Sequence, residues 1–143
     1  KLDGENADLH CDVGYNCYLR QEWEDAETHL RRALELSPGL GRAHNNLGLL
    51  LARTGREGEA LEEFMRAGSG PAEAHANLAH VLTLTDRWNE AQEEFQQALA
   101  INPNLKSAQE GLAKLQALAA RREATARGNT AATPPAVAAD IRR

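Results

Sequence analysis

The chain has 143 residues, a formal charge of -5 and 4% aromatic residues, which is the size of one domain. Abundant Ala and Leu with few β-branched residues favour helix over strand, so the expected fold class is all-α. A mild acidic excess without a Lys/Arg cluster argues against nucleic acid as a partner, and no apolar run approaches the roughly 20 residues that a membrane-inserted helix needs.

Residues 1–6 form a lead-in without the basic-then-apolar order of a signal peptide. Apolar side chains at helical spacing then predict a helix over Asp8 to Arg20, and a second from Trp23 to Leu36 that stops ahead of Pro38 and Gly39. Cys11 and Cys17 are six residues apart on the first of these, about 9 Å along its axis and on opposing sides. That exceeds the roughly 7 Å Cα spacing of a disulfide, so both are expected as free thiols, which fits a reducing compartment. The next pair is Arg42 to Arg53 and Glu57 to Ala67, turning at Thr54 and Gly55; the third is Ala72 to Thr85 and Trp88 to Ile101, with Asp86 placed to cap the latter.

Sliding the sequence by 34 residues lays Gly14 on Gly48, Ala26 on Ala60, Leu30 on Phe64 and Ala33 on Ala67. A further shift of 31 carries these to Ala79, Ala91, Phe95 and Ala98. An internal repeat of helical hairpins follows. The small residues let paired helices approach, Leu30, Phe64 and Phe95 fill the space beside them, and the last Ala of each set faces the next hairpin. No single hairpin could bury its apolar face alone.

These residues, with Val13, Pro38, Leu47, Leu78 and Pro103, resemble the tetratricopeptide repeat. The resemblance implies an α-solenoid, a right-handed superhelix of antiparallel hairpins, with repeats at 7–40, 41–71 and 72–105 and a capping helix over 106–126 carrying Leu112, Ala113 and Leu115 in register. The lead-in reads equally as a short frayed start or as the tail of a preceding repeat. The second unit departs from the family: Gly68, Ser69, Gly70 and Pro71 replace its usual ending, so its second helix is expected nearly one turn short. From Gly128 the composition becomes that of a linker, and 127–143 is expected to be a flexible tail.

In this family the first helices of successive hairpins line a concave groove where ligands bind. The resemblance therefore implies a groove built from Asp8, Cys11, Asp12 and Tyr15, then Arg42, Asn45, Asn46, Leu49 and Arg53, then Glu73, Asn77, His80 and Thr83, with Glu110 and Lys114 on the capping helix. Asn46 and Asn77 occupy matching places, where an amide can pair with a peptide backbone; a role in hairpin packing fits them as well. The basic residues with which some members clamp a terminal carboxylate are replaced by Cys11, Tyr15, Glu73 and Asn77.

His10, His44 and His75 also recur in register. Neighbouring hairpins hold equivalent atoms about 10 Å apart, too far for one ion with ligands near 2 Å, so these are read as packing residues. Gly68, Ser69 and Gly70 follow no strand and make no nucleophile elbow. No cofactor, metal or catalytic constellation is expected, and the chain is read as a non-enzymatic module that binds a protein or peptide segment in its groove. The competing expectation is a structural subunit that self-associates, or resides in a larger complex, through helix edges and the tail. Similar short arrays occur in pilus-assembly and secretion accessory proteins, an analogy that singles out no partner.

Overall fold

The computed structural model describes residues 6–131, over which the chain is entirely helical apart from short turns. The helices are α1 (Ala7–Leu19), α2 (Trp23–Leu36), α3 (Gly41–Arg53), α4 (Glu57–Arg66), α5 (Pro71–Leu84), α6 (Trp88–Ile101) and α7 (Lys106–Ala131). The first six end within one residue of the boundaries expected from periodicity and from the Gly and Pro positions. Asn6 caps α1 by accepting the Leu9 N–H at 3.1 Å, and Pro71 occupies the first turn of α5, where its missing N–H costs nothing.

Each hairpin turns on the same device. Gln21, Gly55 and Asp86 hold matching places after α1, α3 and α5, with φ of 62°, 84° and 61°. The next N–H, from Glu22, Arg56 or Arg87, reaches back to the carbonyl of Cys17, Leu51 or Leu82 at 2.9, 2.8 and 3.0 Å. This is a backbone closure of the helix end around one left-handed residue. Asp86 therefore does not cap α6 as expected; the cap position falls to Arg87, and the Asp86 carboxylate accepts from Arg122 of α7 at 3.3 Å.

Within each hairpin the first helix packs against the second, and α1, α3, α5 and α7 also pack side by side as a row of their own. Gly14 and Gly48 make the close approach possible. A Cβ at Gly14 would lie 2.7 Å from Leu30, and one at Gly48 2.7 Å from the Phe64 ring. Leu30, Phe64 and Phe95 are fully buried, along with Ala26, Ala60 and Ala91, and each large side chain so removed from water contributes about 1.5–3 kcal/mol. In the third hairpin the close approach passes to the next element: a Cβ at Gly111 of α7 would meet the Phe95 ring at 2.4 Å.

The early stop of α4 has the form expected. It has 10 residues against 14 in α2 and α6, and closes around Gly68 at φ 109°. Ala67 caps that short helix and is half-buried, unlike Ala33 and Ala98 in the same register. Beside it a cleft of about 360 Å³ opens between α2, α3 and α4, floored by His44 and Glu63.

Helix α7 corrects two expectations. Its inward face is Ala108, Gly111 and Leu115, with Leu112 half-buried and Ala113 exposed. It also runs through Gly128 to Ala131 instead of ending near 126, because the Ala and Arg residues before Gly128 are strong helix formers and one interior Gly costs only about 1 kcal/mol. The expectations for 1–5 and for the tail at 132–143 lie outside the described residues.

Candidate functional site

The row formed by α1, α3, α5 and α7 presents equivalent positions side by side, at the 8–10 Å spacing typical of packed helices. One edge is charged. Arg42 donates to Asp8 at 2.9 Å and also bonds Asp12, so the first two units are tied together by exposed side chains. The bonds from Asp12 and then Asp8 raise the guanidinium further above its ordinary range. Glu73, in register with Asp8 and Arg42, is exposed at the same edge, and Glu110 of α7 is exposed in the register of Asn45.

The floor holds Tyr15, exposed and stacked on Tyr18 with centroids 6.0 Å apart, and then Leu49 and Asn45, both half-buried. His80 follows. Its ring lies edge-on to Phe95 at 5.0 Å while the residue keeps an exposed side. Burial of the packed part, and next the Lys114 charge, push its pKa below the ordinary value, which favours the neutral ring. Thr83 is half-buried and returns its hydroxyl to the Ala79 carbonyl at 2.8 Å. Arg53 reaches over Trp23, 5.8 Å from the ring centre.

Three expected groove residues are placed differently. Cys11 is fully buried. Burial pushes its thiol up most strongly, against opposing effects of Arg42 and the Asn46 hydrogen bond, so the nucleophilic thiolate is disfavoured. Asn46 is only 8% exposed and turns inward, its amide donating to Cys11 Sγ at 3.5 Å. Asn77 is half-buried and its amide donates to Ser69 Oγ at 3.4 Å. Of the two readings left open for these amides, packing describes Asn46, and Asn77 binds its own chain.

Sequence reasoning passed over the most exposed apolar groups on this row. Leu84 is 75% exposed and Leu19 59%. The repeat shift relates them: Leu19 aligns with Arg53, Leu84 and, after a further 34 residues, Leu118 of α7, which is also exposed. The signal was available in the same shift that located the glycines.

The recurrent histidines lie inside the hairpins. His10 meets His29 with Nδ1 atoms 3.0 Å apart, and His44 and His75 meet Glu63 and Glu94, each at 2.6 Å. Every pair spans 19 residues and joins a first helix to its own second helix. Among the described residues no group of three or more His, Cys, Asp or Glu side chains is disposed to hold a metal, and no helix is long and apolar enough to cross a membrane.

Residues 41–67 and 72–105 each match the family model described as tetratricopeptide repeat. No curated protein sequence matches the chain significantly. Among solved structures, the Arabidopsis OM64 TPR domain superposes with a TM-score of 0.53 at 18% identity, covering 79% of this chain and 96% of that one. Pseudomonas aeruginosa PilF gives 0.54 at 26% identity over 85% of this chain, and PilW, described as a widely conserved type IV pilus biogenesis factor, gives 0.55 at 22% over 82%. The chain spans 56% of the length of PilF and of PilW.

Proposed function

Because the chain is a tetratricopeptide-repeat protein, built on a fold that generally serves as a non-catalytic protein-interaction scaffold, we propose that it binds a segment of a partner protein on the row formed by α1, α3, α5 and α7. The observation that carries this reading is the run of accessible side chains at matching places on successive first helices. Tyr15, Leu49, His80 and Lys114 follow one another along the floor, with the Asp8–Asp12–Arg42 cluster at one edge. A segment laid across the row meets each unit once, so its affinity accumulates from several modest contacts instead of one deep pocket.

Tyr15→Ala combined with His80→Ala is the direct test. Tyr15 is exposed and His80 keeps an exposed side while packing against Phe95, so circular dichroism and a thermal melt of the variant are read beside the binding. Affinity for a partner captured from the native host should fall by about tenfold or more, the loss expected when a central aromatic contact is truncated. An unchanged titration in isothermal calorimetry, with the fold intact, would count against the groove.

The likeness to PilF and PilW supports a second reading, an assembly role in which the array is held in a larger complex through helix edges. Light scattering on the full chain and on one lacking residues 132–143 tests it. Self-association lost with those residues favours this reading; identical monomeric behaviour of both speaks for the groove alone.

A further inference from the structure

One edge of the helical row is unlike the other. The matching positions Leu19, Arg53, Leu84 and Leu118 stand at its far side; in α1, α3 and α5 they lie eleven residues, or about 16 Å, beyond Asp8, Arg42 and Glu73. Three are leucines with exposed side chains. The fourth, Arg53, forms no ion pair among the described residues, and neither do Lys114 and Arg121, which lie next to Leu118 in a shallow depression on α7. In contrast, Arg42 on the opposite edge is fully engaged by Asp8 and Asp12. Apolar groups and uncompensated positive charge therefore share one rim.

The chemistry of the rim constrains what covers it. An extended peptide must find partners for its backbone N–H and C=O groups when it leaves water. The amides expected to supply them are occupied, Asn46 with Cys11 and Asn77 with Ser69, and the rim itself offers aliphatic side chains. A helix satisfies its own backbone and needs only side-chain contacts. Its residues at every seventh place recur at about 10.5 Å, close to the 8–10 Å spacing between rows of packed helices.

We infer that this rim takes an amphipathic helix of a partner protein, with leucine-like residues at seven-residue spacing and flanking carboxylates that meet Arg53, Lys114 and Arg121. The inference rests on the groove reading and specifies the partner's chemistry. Charge disfavours the segment 132–143 as the occupant, since its side chains are Arg142 and Arg143 against one carboxylate, Asp140.

The test uses the full chain and three fluorescein-labelled synthetic peptides of about 21 residues, enough to cross four rows. One is an acidic helix with leucine at every seventh place, one its lysine-substituted counterpart, and one the acidic peptide with a central proline that breaks the helix. Anisotropy should show the acidic helix bound at least about tenfold more tightly than the other two. Leu84→Glu should weaken it by about tenfold or more, and Arg53→Glu should turn the preference toward the basic helix. Circular dichroism of the variants, both at accessible positions, confirms the fold. Equal affinity for acidic and basic helices, or no effect of Leu84→Glu, overturns the inference. Equal or tighter binding of the proline peptide also overturns it while leaving the groove reading in place, since Tyr15 and His80 would still be required. Self-association abolished by Leu84→Glu assigns the rim to a second copy, and tighter peptide binding after removal of 132–143 assigns it to that segment; either result overturns the partner helix. Absence of binding by every peptide overturns the inference, and the groove reading falls with it only if Tyr15→Ala with His80→Ala also leaves the native partner's affinity unchanged.

Discussion

Phe64→Ala should lower the stability of the folded chain by about 3–5 kcal/mol, a large part of the 5–15 kcal/mol that holds a typical domain together. The ring is fully buried and sits where a Cβ on Gly48 would be only 2.7 Å away, so it fills the seam between α3 and α4 with no slack. The same seam explains the reciprocal change. Gly48→Ala overpacks against the ring and should cost about 1–3 kcal/mol; once Phe64 is alanine, the new methyl finds room and the second loss should largely vanish. A double-mutant cycle by urea denaturation measures this coupling directly. Additive losses would mean that ring and glycine do not share the seam.

His44→Ala should be the costliest change to a polar residue, about 3 kcal/mol or more, because it strands one partner of a buried pair. His44 and Glu63 are 9% and 7% exposed. The ring's Nδ1 meets the Glu63 carboxylate at 2.6 Å and its Nε2 meets the Pro38 carbonyl at 2.7 Å. Both ring nitrogens are therefore engaged, one by a carboxylate and one by a backbone carbonyl. One side chain thus ties α3 to its own hairpin partner and to the linker from the preceding unit. Removing it leaves Glu63 buried, with the exposed Arg66 as its remaining contact at 2.6 Å. The matching pair His75–Glu94 is about a quarter exposed on each side, so water replaces the lost partner there and His75→Ala should cost about 1 kcal/mol or less. Thermal melts of the two variants read the contrast, and equal losses would refute the role assigned to burial.

The hairpins were legible because their boundaries are local. Apolar periodicity marks each helix, Pro38, Gly55, Gly68 and Pro71 mark stops and starts, and the missing residues after Ala67 announce the short α4. Which groups are free to bind was less legible, because that depends on the neighbouring unit. Asn46 lies on the boundary between floor and interior, and the Cys11 sulfur of the first unit draws it inward; no reading of α3 alone could place it. Asp86 has the side chain of a helix cap, yet backbone closure around a left-handed residue needs that position for itself. Leu19, Leu84 and Leu118 look like core residues when each helix is read by itself, and only their common place at the open end of the row leaves them in water.

The break in the periodicity at the second unit reaches beyond local packing. A perfectly periodic array is a ratchet, on which a bound strand or rod can slip by one tooth and bind almost as well. Here the second helix of the row carries Arg53 where its neighbours carry leucine, so on the rim proposed above a one-tooth slip of a bound helix would press a guanidinium against an aliphatic chain and strand a carboxylate on leucine. The irregular unit thereby gives the array a direction and a zero mark.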